Sequence, residues 1–147
     1  MNKGSPRARR ASARALIAIA CFAAGVSFAQ DPRAVTAQKA ARDWLALTDK
    51  ADTAASRDTA GTKFKVAIDS ENWARALAKS RTSLGAVERR TVLSTRFDTV
   101  LPDGGPEGEF VLIIYRTTFA EKPDSTETVT LEREADGNWR VIGYFIR

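Results

Sequence analysis

One stretch decides the fold of this chain: Gly108-Glu-Phe-Val-Leu-Ile-Ile-Tyr-Arg-Thr-Thr-Phe119. Successive side chains of a β-strand point to opposite faces of the sheet. One face of this strand would carry Val111, Ile113 and Tyr115. The other face would carry Phe110, Leu112 and Ile114. Because both faces are apolar, the strand is predicted to lie inside a sheet that is covered on both sides. The stretch predicts a fold and not a reaction.

The residues before this strand favour helices. Asp31 is a good helix cap and Pro32 suits the first helical position, so a first helix is predicted from there to about Asp49. Its buried face should carry the residues that recur at helical spacing, which are Ala37, Ala41, Trp44, Leu45 and Thr48.

Two further helices are predicted before the first strand. One begins near Asp52 and continues through Gly61, a residue that weakens a helix unless another backbone approaches closely there. The other has Ser70 as its cap and ends at Gly85.

The residues that follow favour strands. Besides the strand already described, the β-rich segments are 89–101, 126–134 and 138–146. Asp136-Gly137 joins the last two and is a strong signal for a tight hairpin. Helices followed by a four-strand meander predict the α+β class, with the N-terminal helices packed on a four-stranded antiparallel sheet.

The net charge of +5 comes from the N-terminal leader. The chain has 23 basic and 18 acidic residues, and residues 1–29 hold five basic residues and no acidic one. Residues 30–147 are therefore formally neutral. A surface that binds nucleic acid shows a basic excess, so we expect no nucleic-acid partner.

Residues 1–29 have the pattern of a signal peptide. A basic segment precedes an apolar run over 15–28, and Ser27 and Ala29 are the small residues that a signal peptidase recognises. Cleavage after Ala29 would leave a single domain, residues 30–147, exported to the periplasm or secreted, with no membrane span. The alternative is an uncleaved membrane anchor, for which the run is short.

The chain lacks the residues that most catalytic sites need. Cys21 is the only cysteine and lies in the leader, and histidine is absent. A lipid anchor through Cys21 is an alternative to ordinary cleavage. Histidine-based triads, thiol nucleophiles and the usual zinc sites are excluded from the mature domain. We expect no metal and no cofactor.

Carboxylate–tyrosine chemistry is the enzymatic alternative that stays open. Its candidates are Asp49 or Asp98 as a base, with Tyr115 or Tyr144 as a donor. No pattern in the sequence places these residues together, so we favour a protein that is not an enzyme and name no catalytic residue.

Two arginines are candidates for binding an anion. Arg81 lies near the end of the third helix and Arg90 begins the first strand, and a corner that brings them together would create a positive site. The alternative is that each pairs with a nearby acid such as Glu88 or Glu71. Aromatic side chains could line a pocket beside them or simply fill the core. The candidate ligand-binding residues are Trp73, Arg81, Arg90, Tyr115 and Tyr144.

The last strand also has two apolar faces. Strict alternation puts Val141 and Phe145 on one face and Tyr144 on the other. Helices can cover only one face of the sheet, and an exposed apolar face favours a partner, most simply a second copy related by a twofold axis. Leu112 and Ile114 are the candidate interface residues. The alternative is that polar chains such as Arg116 and Arg140 cover this face within the monomer.

A set of motifs runs along most of the mature chain. They are Trp44-Leu-Ala-Leu-Thr-Asp49, Trp73, Arg81-Thr-Ser-Leu-Gly85, Arg90, Gly108-Glu-Phe-Val111, Phe119, Glu127-Thr-Val129 and Gly137-Asn-Trp-Arg-Val-Ile-Gly-Tyr-Phe145. In this order and spacing they resemble the bacterial domain-of-unknown-function 4019 family. The resemblance implies export and a cystatin-like or nuclear-transport-factor-2-like cone, in which a curved sheet wraps round the helices. It implies no catalytic residues, since the family has no established activity.

Together these observations predict an exported, non-enzymatic domain that binds a small ligand or an envelope protein through the cone or the exposed sheet face, or pairs with itself there. The alternatives are a carboxylate–tyrosine enzyme and a purely structural envelope dimerisation module. An open cavity holding Asp beside Tyr would favour the enzyme. An interior filled by Trp44, Phe64 and Trp73 would favour the structural module.

Overall fold

The computed structural model describes Met1 and residues 31–147. The predicted signal peptide and the alternative roles of Cys21 fall on residues outside this part, and so they stay predictions. Among the described residues no helix combines the length and apolar character needed to span a bilayer.

Four helices lead the domain: α1 (Pro32–Asp49), α2 (Thr53–Asp58), α3 (Thr62–Ala67) and α4 (Ser70–Arg81). Aspartates cap three of them, because the side chain of each accepts a hydrogen bond from a free N–H of the first turn. These caps are Asp31, Asp52 and Asp69. The predicted first helix is confirmed, and its five predicted inward residues are all buried. The third predicted helix is confirmed as α4, and its cap is Asp69 rather than Ser70.

Four strands follow: β1 (Val87–Asp98), β2 (Phe110–Phe119), β3 (Ser125–Arg133) and β4 (Trp139–Ile146). They form one antiparallel sheet in the order β1-β2-β3-β4. The predicted α+β class and its meander are therefore confirmed, with β2 as an inner strand. Gly137 has a φ of +81° in the turn before β4, a conformation that favours glycine.

The predicted second helix is two short helices that break at Gly61. The N–H of Gly61 donates to the carbonyl oxygen of Val141 at 2.8 Å, so the connection between α2 and α3 docks on the edge of β4. A Cβ at this position would lie 2.9 Å from Cγ2 of Ile142. Close backbone approach therefore explains both the glycine and the break in the helix.

The helices cover one face of the sheet. Val111, Ile113 and Tyr115 of β2 are buried in the same core cluster as Trp44 and Leu45 of α1. The opposite surface is called here the outer face. Across it, Leu112 aligns with Thr130 and Gly143, and Ile114 aligns with Thr128 and Phe145.

Strict alternation in β4 is the prediction that was wrong. The ladder between β3 and β4 shifts register once, and Ile142 is the extra residue. Val141 and Tyr144 therefore both face the helices, where the Tyr144 ring lies 5.3 Å from that of Trp44. Phe145 faces outward and is 53% exposed. A β-bulge moves every later side chain to the other face.

Candidate functional site

Glu127 is the centre of a polar network on the helix-facing side of β3. Its side chain is fully buried. One carboxylate oxygen accepts hydrogen bonds from Arg90 Nε and Thr117 Oγ1, both at 2.5 Å. The other accepts from Tyr144 OH at 2.5 Å and Arg90 Nη2 at 3.1 Å, with Arg81 Nη2 at 3.5 Å. Glu127 is thus held by four side chains from α4, β1, β2 and β4.

Asp49 supplies the second carboxylate at the more exposed end of the network. Arg90 donates to both of its oxygens, at 2.9 and 3.0 Å, and Arg81 Nη2 lies 2.9 Å from Oδ1. Burial alone would raise the pKa of Asp49, but the hydrogen bonds and positive charges of the two arginines outweigh it, so this pKa lies below its usual value. Two positive and two negative side chains balance each other in the network.

The arginines are fixed by the same contacts. Burial by itself would lower the pKa of Arg90, but its hydrogen bonds to Asp49 and Glu127 raise the net value. Arg81 Nη2 also donates to Tyr144 OH at 2.8 Å and to Thr48 Oγ1 at 3.0 Å. Each arginine therefore pairs with carboxylates, although the partners are Asp49 and Glu127 rather than Glu88 or Glu71.

Two tyrosines border the network and stay protonated. Burial, together with the charge of Glu127, raises the pKa of Tyr144 well above its usual value. Burial also raises the pKa of Tyr115 to about 12. Tyr115 lies opposite Glu127 on the β2–β3 ladder, and its hydroxyl has no hydrogen-bond partner among the described residues.

Aromatic side chains fill the space between the helices and the sheet. The ring of Trp44 lies 5.9 Å from Phe64 and 5.8 Å from Trp73, and Phe64 lies 5.0 Å from Trp73. The indole N–H groups are used as well, since Trp44 donates to the carbonyl oxygen of Ser56 at 2.7 Å and Trp73 to its hydroxyl at 3.0 Å. These residues are buried in the core, and Trp44 also borders a hollow of about 350 Å³ between α1 and β4.

The structure brings some predicted site residues together and separates others. Arg81, Arg90 and Tyr144 share the network, and Tyr115 adjoins it on the ladder. Trp73 lies in the aromatic core, one ring away from Tyr144 through Trp44. Of the two candidate bases, Asp49 belongs to the network, whereas Asp98 pairs with Arg96 at 2.9 Å on β1.

Glu127, Thr117 and Thr48 are the network residues that the site prediction missed. A usable signal was present, because Glu127 has the same parity along its strand as the apolar Val129 and Leu131. A carboxylate at an inward position of a strand must find partners when it is buried. Which partners it finds depends on chain segments 37 and 46 residues away.

Hydrogen bonds from within the network occupy both oxygens of the Glu127 carboxylate. Each oxygen of Glu127 already accepts at least two hydrogen bonds, so no free acceptor is directed at a substrate position. Among residues 31–147, no group of three or more His, Cys, Asp or Glu side chains is placed to hold a metal ion.

The outer face offers a different kind of site. Leu112 and Ile114 are half-buried there, and Phe145 projects from it. Toward the β1–β2 loop it contains a mostly apolar hollow of about 330 Å³. The residues that line this hollow include Val100, Leu101, Phe110, Leu112, Ile142 and Gly143.

Comparison with protein-family models matches residues 40–144 to a family described as "Protein of unknown function (DUF4019)". This match confirms the resemblance carried by the motifs from Trp44 to Tyr144. No curated protein and no solved structure matches the chain.

Proposed function

The chain belongs to the DUF4019 family, and we propose that it is an exported, non-enzymatic module that pairs with a second copy of itself through the outer face of its sheet. The observation that carries the proposal is the contrast between the two faces. The helix-facing side buries its aromatic side chains and its charged network, whereas the outer face leaves Leu112, Ile114 and Phe145 in contact with solvent.

The size of the outer face supports a protein partner. Four strands about 4.8 Å apart, each about eight residues long at about 3.3 Å per residue, outline an area of about 500 Å². This is more than half of the about 800 Å² per partner that a standard interface buries, and the β1–β2 loop, which borders the hollow, adds to it.

The charges of the outer face support a second copy as that partner. Arg96 is paired with Asp98 at 2.9 Å, and the central positions on β2, β3 and β4 are apolar side chains, threonines and a glycine. A twofold interface places each surface against itself, so a net charge at its centre would repel its own copy. The centre of the outer face is threonine-rich and uncharged, and its arginines Arg116 and Arg147 lie toward one end of the face.

Export is part of the proposal and is supported by the leader pattern of residues 1–29. The protein purified from the cell envelope should have lost these residues, which mass spectrometry measures directly. Recovery of the full-length chain in the cytoplasm would contradict this part of the proposal.

The experiment for pairing is sedimentation of the exported protein over a concentration series, with Ile114→Lys as the variant. A lysine at the centre of the interface would desolvate a charge without a partner, so we expect the variant to sediment as a monomer at concentrations where the native protein is dimeric. The matched control is Val66→Lys, since Val66 is exposed on α3. A native protein that stays monomeric at the highest concentration would overturn the proposal.

A small anion at Arg81 and Arg90 is the second candidate. The favouring observation is that Asp49, which occupies the outward N–H groups of both arginines, has 26% of its side chain exposed. A carboxylate or phosphate would compete with Asp49 for these donors. The native protein should bind acetate or phosphate in calorimetry, and removing the competing charge with Asp49→Asn should tighten that binding. No binding by either protein would rule this candidate out.

A further inference from the structure

Phe145 is an exposed aromatic side chain on β4, and the other residues of that strand are buried or half-buried. It owes its outward direction to the bulge at Ile142, and 53% of it is exposed. The Arg147 guanidinium lies 5.0 Å from the centre of its ring, an arrangement in which the cation is attracted to the ring face. A large aromatic group held this way is the kind of anchor that dominates binding at protein interfaces.

The hollow on the same face is large enough to receive an aromatic ring. A closed apolar cavity of about 150 Å³ binds benzene, and this open one measures about 330 Å³. Gly143 contributes no side chain to it, and Phe110 and Leu112 provide apolar walls. Val100 and Leu101 of the β1–β2 loop border it on another side.

The anchor and the hollow are close neighbours. Phe145 is two residues beyond Gly143 on β4, which is about 7 Å along the strand. Thr130 lies opposite Gly143 on β3 and also lines the hollow. The centre of the hollow therefore lies about one strand away from β4, on the side of β3. The two features are therefore about 10 Å apart on one surface.

We propose that Phe145 of one copy inserts into the hollow above Gly143 of the second copy, and that the second copy does the same in return. A twofold axis lying between the two sheets and midway between these features makes both insertions at once, because in a twofold interface each contact occurs twice with its members exchanged. This inference rests on the proposed pairing through the outer face, and adds its register and its anchor.

Two single-cysteine proteins test the register. Phe145→Cys and Gly143→Cys would each be made with Cys21→Ser, so that each protein carries one thiol. A Cβ at Gly143 would meet Thr130 at 3.5 Å, an ordinary contact, and the substitution is therefore tolerated. Under mild oxidation, which joins only thiols in direct contact, we expect a disulfide-linked dimer when the two proteins are mixed and little when either is treated alone, because only the mixture places position 145 against position 143 across the interface.

The strength of the anchor is tested with Phe145→Ala. Truncation of a central aromatic anchor should weaken dimerisation by about 30-fold or more, measured as the sedimentation dissociation constant, with circular dichroism as the check on folding. Val66→Ala is the control and should change it less than about twofold. A dimer whose affinity is unaffected by Phe145→Ala, and whose cysteine mixture does not cross-link, overturns the register and leaves pairing intact. A native protein that is monomeric overturns both.

Discussion

The two faces of the β-sheet differ in which side chains they remove from water, although neighbouring residues of the same strands form both faces. On the helix side, Glu127 and Arg90 are removed from water and must satisfy each other. On the outer side, Thr128 and Ile114 form a neutral surface whose apolar part stays in contact with solvent. On one face of the sheet a charged network is buried and paired, and on the other face apolar groups remain in contact with solvent, where we propose that a second copy binds.

The occupied acceptors of the interior network support our proposal of a non-enzymatic module. A general base needs a free acceptor within reach of a substrate, whereas the acceptors of Glu127 are occupied by Arg90, Thr117 and Tyr144. The aromatic cluster of Trp44, Phe64 and Trp73 fills the adjoining space.

The largest effect should come from removing the central carboxylate. Glu127→Ala leaves Arg90 buried beside Asp49 without its main partner, and breaking a buried pair in this way costs about 3–5 kcal/mol. The free energy of unfolding in urea measures this loss. Glu127→Gln, which keeps the volume and one acceptor, should lose less. If both variants unfold like the native protein, the interior network contributes nothing to stability and the comparison fails.

A smaller and pH-dependent loss is expected for Asp49→Asn. The hydrogen bonds that Asp49 accepts from Arg81 and Arg90 are charge-assisted but partly exposed, so we expect about 1–2 kcal/mol at pH 7. Because the folded-state pKa of Asp49 is lowered, its contribution is fully present above the ordinary aspartate pKa of about 4 and is lost as the pH falls through the folded value.

The measurement for Asp49 is the unfolding free energy of the native protein and the variant between pH 7 and pH 2. Their difference should be constant down to about pH 4 and shrink below it. A difference that grows on acidification would mean that Asp49 is protonated more readily in the folded state, contrary to the pairing with the arginines.

The smallest effect should come from an ion pair on the surface. Glu109 pairs with Arg133 at 3.3 Å with both side chains exposed, and such pairs contribute about 0–1 kcal/mol. Glu109→Gln should therefore leave the urea midpoint nearly unchanged, and added salt should reduce even that difference. A loss comparable to that of Glu127→Ala would show that burial is not what distinguishes the two pairs.

Much of the fold follows from local patterns. The spacing of Ala37, Ala41 and Trp44 marks the buried face of α1, and Asp136-Gly137 marks the last hairpin, because helical periodicity and turn chemistry depend on residues close in sequence. The candidate site was less predictable. Arg81, Arg90 and Tyr144 were recognised as candidates, but their common partner Glu127 was missed, since pairing between segments dozens of residues apart leaves no local pattern.

By itself the sequence determined the α+β class, the order of the elements and the two apolar faces of β2, since alternation and capping act over a few residues. Only the tertiary structure decided which face of residues 110–119 meets the helices, because that depends on packing against α1. It also decided that the chain leaves the helical conformation just before Gly61, which caps the next helix, and that the bulge at Ile142 turns Phe145 outward. Both depend on contacts between β4 and segments that are distant in the sequence. The bulge in β4 places Phe145 on the face that we propose for pairing.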